Sequence, residues 1–90
     1  MALLDLLGRR WCLRILWELH SGSLNFRELR GRCAMLSPTI LNTRLAELRD
    51  AGIVELNAEG YRLTEQGHDL GRVLLALHHW AEKSARRERG

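Results

Sequence analysis

Apolar residues recur with helical spacing in three stretches of this 90-residue chain. In the first stretch they stand at i, i+3, i+4 and i+7, which predicts an amphipathic helix of roughly twelve residues that ends at Ser21-Gly22. The positions concerned are Cys12, Ile15, Leu16 and Leu19. The last stretch follows Thr64, which can cap a helix, and keeps the same spacing for at least about four turns. Its apolar residues are Leu70, Val73, Leu74, Leu77 and Trp80.

The middle stretch has the clearest helix start in the chain. The Ser37 hydroxyl can accept a hydrogen bond from a free amide, and Pro38 has the backbone angle that suits the first helical position. Gly52 is suited to end the same helix, which we expect to cover about residues 38–51. One face of this helix is apolar, and the residues on that face are Leu41, Leu45 and Leu48.

Shorter elements lie between these helices. Residues 23–26 can be extended, and they lead into a helical turn in which Asn25 and Glu28 have the spacing of a capping box. Residues 53–56 and 61–63 have the pattern of two strands, and the intervening residues 57–60 suit a tight turn. The resulting order predicts a mainly α protein with a small β-hairpin. This is the winged helix-turn-helix plan, with a three-helix core, the hairpin as its wing and a long C-terminal helix.

Composition is that of an ordinary folded protein, with 46% hydrophobic and 28% charged residues. The length suits one domain over residues 1–90. Charged residues interrupt the N-terminal leucines, and no apolar run approaches the roughly 20 residues that span a bilayer, so we expect neither a secretory signal nor a membrane helix. The expected location is cytoplasmic. Cys12 and Cys33 are expected to be small buried residues, with a redox switch as the alternative.

Charge is distributed unevenly along the chain, whose formal net charge is +3. Residues 9–49 contain eight arginines and three acidic residues, a balance of +5, and the remainder sums to −2. Such an asymmetry favours an anionic partner for the first half of the chain. Solvated helix faces without a partner are the simpler explanation of the same pattern.

The helix at 38–51 carries the residues that favour DNA as this partner. Opposite its leucines it has small side chains that bear methyl groups or form hydrogen bonds, and such side chains let a helix approach base edges closely. They are Thr39, Asn42, Thr43 and Ala46. Asn42 can form two hydrogen bonds with adenine, and the threonines can donate to a base or contact a thymine methyl group. An ordinary polar helix surface is the alternative.

Arginines and helix starts supply candidate phosphate contacts. Arg44 and Arg49 flank the base-facing side of that helix. Arg62 alternates with apolar neighbours on the hairpin and so points away from the core, which suits a minor-groove or phosphate contact or plain solvation. Arg27 and Ser37 stand at helix starts, where free amides and the helix dipole favour phosphate, although capping alone explains Ser37. The expected contacts outside the base-facing set are Arg27, Ser37, Pro38, Arg44, Arg49 and Arg62.

Several segments, taken in order, resemble the HxlR-type transcription regulators. They are Gly8-Arg9-Arg10-Trp11, Ile15-Leu16-Trp17-Glu18-Leu19, Phe26-Arg27-Glu28-Leu29, Ser37-Pro38 with Leu41, Arg44-Leu45 with Leu48, Ala51-Gly52-Ile53-Val54 and Tyr61-Arg62-Leu63-Thr64-Glu65-Gln66-Gly67. Single segments also occur in MarR-type and PadR-type regulators, but their joint order and spacing from about Leu6 to Trp80 favour HxlR. The resemblance implies a homodimer that binds a near-palindromic operator in double-stranded DNA and dimerises through its terminal segments, 1–9 and 65–85.

The chain departs from this family in three respects. The wing turn is shorter than usual, which argues against deep minor-groove contact by Arg62. The frequent cysteine ahead of the first long helix is missing, so redox or electrophile sensing is not expected. The N-terminal dimer-forming segment is abbreviated, yet the chain has more apolar side chains than one small core obviously needs, which indicates either an interface or burial of these residues in the core. These side chains are Leu3, Leu4, Leu6, Leu7, Trp11, Trp17 and Trp80.

Three other functions compete with that of a DNA-binding regulator. An enzyme needs convergent titratable groups, and the chain has no nucleophile motif or glycine-rich phosphate loop, so we expect neither catalysis nor a cofactor. The only titratable candidates are His68, Asp69, His78 and His79, all on the last helix. An ArsR-like metal-responsive regulator could use His78 and Glu82, four residues apart. A winged-helix module that binds proteins would not need the polar face of the 38–51 helix. The operator and any small-molecule effector stay open.

Overall fold

The computed structural model describes residues 2–89 and confirms the predicted order of elements. Within this range the chain has five helices and one antiparallel hairpin. The helices are α1 (Leu3–Leu7), α2 (Cys12–Leu19), α3 (Phe26–Arg32), α4 (Pro38–Asp50) and α5 (Glu65–Arg89). The strands are β1 (Val54–Asn57) and β2 (Gly60–Leu63). The protein is therefore mainly α-helical, and α3, α4 and the hairpin form a winged helix-turn-helix.

The first predicted helix is shorter than expected, and a separate helix precedes it. The chain leaves α1 after Leu7 and turns before α2 begins at Cys12. Trp11, in that turn, has φ 78°, a left-handed conformation that a right-handed helix cannot include. At its other end α2 stops at Leu19, where a turn hydrogen bond from the Gly22 amide to the Leu19 carbonyl (3.3 Å) follows the last helical residue. The expected twelve residues are thus eight.

The core lies where α2, α3 and α4 meet the base of the hairpin. The apolar stripes predicted for α2 and α4 are both buried there, because side chains at i, i+3, i+4 and i+7 share one face of a helix. Cys12 and Cys33 are fully buried with them, which confirms their expected place as small core residues. The core is made of Leu6, Cys12, Ile15, Leu16, Leu19, Leu24, Leu29, Cys33, Leu36, Leu41, Leu45, Leu48, Ile53, Val54 and Leu63.

The wing is a short hairpin with a third extended segment beside it. In the hairpin Val54 pairs with Leu63 and Asn57 with Gly60, so the loop is two residues rather than the predicted four. On its outer side β2 is bridged by Leu24, with backbone hydrogen bonds of 2.8 and 3.0 Å to Tyr61. Gly60 has φ 121°, and a Cβ there would lie 2.6 Å from the Leu24 carbonyl oxygen. Only glycine fits at this close approach of two backbones.

Helix α5 is anchored at its start and leaves the core along its length. The Thr64 hydroxyl accepts a hydrogen bond from the Gly67 amide (3.0 Å), so Thr64 caps the helix as predicted. It also donates to the Gly52 carbonyl (2.6 Å), which ties the helix start to the end of α4. The 25 residues of α5 span about 37 Å, more than the 24 and 26 Å widths of the molecule. None of the helices in the described range is long and apolar enough to cross a membrane.

Candidate nucleic-acid interface

Helix α4 has two faces of different chemistry. Its leucines are buried, and α4 packs against β1 as well as the core. The opposite face is exposed and carries the four side chains expected to face base edges, namely Thr39, Asn42, Thr43 and Ala46. All four of these side chains are uncharged. A partner surface can therefore approach residues 39–46 on this side of α4 without displacing a charge, and the exposed Asp50 follows on the same side at the end of the helix.

One hydroxyl on this face is already used inside the helix. The Thr43 Oγ1 donates a hydrogen bond to the Thr39 carbonyl oxygen at 2.9 Å. Threonine in a helix commonly satisfies its hydroxyl in this way, which also fixes its side-chain rotamer. The proton of the Thr43 hydroxyl is therefore directed along the helix and not outward.

The start of α4 differs from the expectation in one respect. Ser37 stands at the position before the first helical residue, and its carbonyl accepts from the Leu41 amide at 3.0 Å, but its side chain makes no capping hydrogen bond. The expected side-chain cap is therefore wrong, and because the start of α4 is exposed, water can satisfy the free amides in place of the hydroxyl. The predicted capping box of α3 is present, with hydrogen bonds of 2.8 and 3.0 Å between Asn25 and Glu28.

The turn between α3 and α4 is held by specific contacts. Ala34 and Met35 both have left-handed backbones, with φ of 56° and 57°. The Met35 amide donates to the Arg30 carbonyl at 3.0 Å, and Arg30 Nε donates to the Leu36 carbonyl at 2.7 Å. Leu36 itself is buried in the core. These contacts set the direction in which α4 leaves the turn.

Arg44 does not flank the exposed face as a phosphate contact would. Its NH1 pairs with Glu47 at 2.7 Å, and its Nε donates to the Arg10 carbonyl at 3.0 Å. Glu47 also pairs with Arg9 at 3.1 Å. The side chain of Arg44 is only 19% exposed, because it lies between α4 and the loop that joins α1 to α2. Arg44 therefore holds that loop against α4.

A second acidic residue binds two more of the arginines. Glu18 of α2 pairs with Arg14 at 2.8 Å and with Arg32, at the end of α3, at 3.8 Å. Arg14 also donates to the Arg32 carbonyl at 2.9 Å. These contacts tie α2 to α3, so much of the arginine excess in residues 9–49 serves the fold.

Three predicted arginines are placed on the exposed surface. Arg27 in the first turn of α3 and Arg49 in the last turn of α4 make no ion pair with the described residues. Arg62 on the wing is exposed but pairs with Glu55 across the hairpin at 2.6 Å. Arg49 shares a shallow groove between α4 and β1 with Asp50 and Glu55, whose charges oppose an anion there. Of the three, Arg27 is thus the one with neither an ion pair to break nor these acidic neighbours.

Apolar side chains are exposed on three other helices. Those most exposed are Leu4 of α1, at 81%, and Val73, Leu77 and Trp80 of α5, each above one half. Leu13 and Trp17 of α2 are exposed as well. Leu6 is part of the core instead, which corrects the expectation for that leucine. Sequence analysis did not identify Leu13 as an exposed apolar residue, because it lies just outside the buried stripe of α2.

A groove of about 390 Å³ runs between α2 and α5. Its walls are mainly leucines, with Trp17 in ring contact with His20 (5.1 Å) on one side and His78 (5.3 Å) on the other. Leu77 lines the groove and is also one of the exposed residues of α5. The groove and the outer side of α5 therefore form one apolar surface.

The remaining candidates for metal or redox chemistry, His78, Cys12 and Cys33, are either engaged or buried. His78 Nε2 lies 2.6 Å from Glu82 Oε1, so this pair forms a hydrogen bond within α5. Among the described residues no three His, Cys, Asp or Glu side chains converge as a metal site requires. Burial raises the pKa of both Cys12 and Cys33, which keeps their thiols protonated.

The sequence model of the HxlR-like helix-turn-helix family matches residues 6–89. The chain belongs to this family. The resemblance noted in the sequence is thereby confirmed. The match extends from the buried Leu6 to the last described residue of α5, so it includes the helix-turn-helix, the wing and both terminal helices.

Relatives of this HxlR-like chain are transcription regulators. It is 32% identical to the HTH-type transcriptional regulator YvaP of Bacillus subtilis, over 86% of this chain and 78% of YvaP. It is 33% identical to the HTH-type transcriptional regulator Rv3095 of Mycobacterium tuberculosis, over 97% of this chain but 59% of that protein. The crystal structure of quinone-bound YodB from Bacillus subtilis matches with a TM-score of 0.82 and 37% identity, over 88% of this chain and 90% of YodB. The HxlR-like chain is accordingly a DNA-binding transcription regulator.

Proposed function

We propose that α4 lies in the major groove of an operator and that its exposed face contacts base edges. The observation that carries this proposal is the contrast between the two sides of α4. The side chains of Thr39, Asn42, Thr43 and Ala46 are small, uncharged and exposed. Of its charged neighbours, Arg44 and Glu47 are paired with each other, and Asp50 lies beyond this surface at the end of the helix. A helix with this surface fits the width of the major groove and can present Asn42 to adenine.

Phosphate contacts come from the exposed groups around α4. Arg27 and Arg49 make no ion pair with described residues, and the Ser37 hydroxyl is not used as a cap, so these groups can reach DNA without losing a partner. Pro38 presents the exposed first turn of α4. Arg62 must first leave Glu55, which costs at most about 1 kcal/mol for an exposed pair. We do not include Arg44 among these phosphate contacts, because its side chain binds Glu47 and the Arg10 carbonyl.

The experiment begins with duplexes selected from a random pool by the purified protein. Binding to a selected duplex, measured by fluorescence anisotropy, should weaken as salt rises. If Arg27, Arg49 and Arg62 each meet one phosphate in both subunits of a dimer, the slope of log K against log salt is about −5. Arg27→Ala should reduce that slope and weaken binding to every duplex.

Arg72→Ala is the matched control, because Arg72 is an exposed arginine of α5 that is already paired with Asp69. It should leave the slope unchanged. Asn42→Ala should cost about 1–3 kcal/mol on the selected duplex and little on an unrelated one. Binding that does not respond to salt, or equal effects of the Arg27 and Arg72 variants, would refute the proposed interface.

We also propose that the protein is a homodimer through α1 and α5, bound to a near-palindromic operator. The support is the exposed apolar surface of α5, with Val73, Leu77 and Trp80, together with Leu4 of α1. Patches of this kind mark interfaces, because water contact with so many large apolar side chains is unfavourable. A twofold axis would set two copies of α4 in successive major grooves, about 34 Å apart.

Sedimentation velocity of the wild-type chain and two variants tests the dimer. Leu77→Asp puts a charge in the apolar face of α5 and should give monomers that bind the selected duplex at least tenfold more weakly. His79→Asp introduces the same side chain on the opposite, exposed side of α5 and should leave the dimer intact. A wild-type monomer at micromolar concentration, or a dimeric Leu77→Asp variant, would contradict the proposal.

A further inference from the structure

Between residues 39 and 46 the exposed face of α4 contains a group of methyl-bearing residues that no charged side chain interrupts, and Asp50 follows on this face at the end of the helix. Thr39, Thr43 and Ala46 lie within about 60° of one another around the helix, and all three are exposed. We refer to these three residues as the methyl patch. Asn42 stands at one margin of it. Arg44 is adjacent in sequence but is held against Glu47 and the Arg10 carbonyl.

Thr43 is the member of the methyl patch whose chemistry the geometry defines. Its hydroxyl proton is donated to the Thr39 carbonyl at 2.9 Å. Outside the helix Thr43 can therefore offer its methyl group and the lone pairs of its oxygen, but no hydrogen-bond donor. A base acceptor such as guanine O6 or thymine O4 gains nothing from it unless the internal hydrogen bond breaks.

The major groove contains one apolar group that suits such a surface. Thymine is the only one of the four bases with a methyl group at its groove edge, whereas guanine presents two acceptors that are read best by arginine or lysine. The methyl patch has neither residue type. We propose that the methyl patch selects A·T pairs by contact with thymine methyl groups, and that Thr43 makes this contact through its own methyl group. The inference rests on the proposed placement of α4 in the major groove.

Replacement of thymine by deoxyuridine tests the contact without changing the protein. Deoxyuridine removes only the methyl group and keeps every hydrogen-bonding atom of the base. Each thymine of a selected duplex is replaced in turn, and binding is measured by anisotropy. At least one position in each half-site should lose three- to fivefold in affinity, the value of one buried methyl group.

Two variants of Thr43 then separate the methyl group from the hydroxyl. Thr43→Val keeps a methyl group in the same place and has no hydroxyl; it should bind as the wild type does and keep the deoxyuridine penalty. Thr43→Ser keeps the hydroxyl and lacks the methyl group; it should bind three- to fivefold more weakly and lose the penalty at the same position. Position 43 is exposed, so neither substitution should disturb the core, and circular dichroism checks that both variants fold.

The outcomes distinguish this inference from the function on which it rests. If Thr43→Val binds weakly while Thr43→Ser binds normally, the hydroxyl reads the base and the inference is overturned. If no deoxyuridine weakens the wild type, the inference also fails. In either case salt-sensitive binding and the effect of Asn42→Ala would still support α4 in the major groove, whereas their loss would refute both.

Discussion

A methyl group added at Gly67 should damage the fold at the joint between α5 and the wing. Gly67 is buried in the first turn of α5, and a Cβ there would overlap the Ile53 carbonyl oxygen, well inside the ~3.3 Å at which carbon and oxygen atoms touch. It would also lie 3.2 Å from Leu63 Cβ. The Ile53 carbonyl cannot move freely, because it accepts a hydrogen bond from the Thr64 amide (3.0 Å) and shares with the Gly52 carbonyl the proton of the Thr64 hydroxyl (3.2 Å).

The size of the effect follows from these contacts. Overpacking of this kind costs about 1–3 kcal/mol, and displacement of the Ile53 carbonyl weakens hydrogen bonds worth about 1 kcal/mol each. Alanine is a better helix former than glycine, but by at most about 1 kcal/mol, and less in a first turn. Gly67→Ala should therefore lower the free energy of unfolding by about 2–4 kcal/mol. The melting temperature should fall by at least about 10 °C.

Gly71→Ala is the matched control, one turn further along α5. A Cβ at Gly71 has only Leu63 Cδ1 near it, at 3.9 Å, so it should stabilise the protein by about 0.5–1 kcal/mol. Gly31→Ala in α3, where the Cβ meets nothing within 4 Å, gives a second control away from α5. Urea unfolding followed by circular dichroism at one protein concentration measures all three variants. A Gly67→Ala variant as stable as the wild type would refute the packing argument.

Three further substitutions test other parts of the fold by the same assay. Asn25→Ala removes a capping box and should destabilise by about 1 kcal/mol; an unchanged urea midpoint would show that water replaces the cap. Glu47→Gln removes two partly buried ion pairs and should cost about 1 kcal/mol at low salt, less at 1 M salt. Burial raises the pKa of Cys12 and Cys33, so stability should be fully present below the ordinary thiol pKa and fall as pH rises above it. Replacement of either cysteine by alanine should make the free energy of unfolding depend less on pH in this range. A wild-type protein whose stability does not change there would contradict the prediction.

The parts of the fold that were predictable are those with a local physical cause. Pro38 and Gly52 bracket α4 because each suits one end of a helix, and the buried leucines of α4 follow from helical spacing. The capping box of α3 depends on two side chains three residues apart. The break at Trp11 was not predictable in this way, because a left-handed conformation is unusual for a bulky residue.

For the candidate site, the exposed face of α4 was predictable from the sequence, but the contacts of the arginines were not. Exposure of Asn42 and Thr43 follows from the position of the leucines on the same helix. Whether an arginine contacts DNA depends instead on acidic residues that are distant in the chain or on another face. The pairing of Arg44 could not be predicted in this way, because its contact with Glu47 depends on the rotamers of both side chains and its other acceptor, the Arg10 carbonyl, is 34 residues away.

Two glutamates, Glu47 and Glu18, each pair with two arginines, and these pairs affect long-range attraction to DNA and direct phosphate contact differently. Glu47 is shared by Arg9 and Arg44, and Glu18 by Arg14 and Arg32, so each cluster keeps one net positive charge although none of its arginines is unpaired. At distances beyond the pairs, the whole excess of residues 9–49 still attracts a polyanion and favours encounter with DNA. At contact, only exposed side chains such as Arg27 can displace counterions from phosphates. A count of arginines in the sequence thus estimates the long-range attraction correctly and overestimates the number of phosphate contacts.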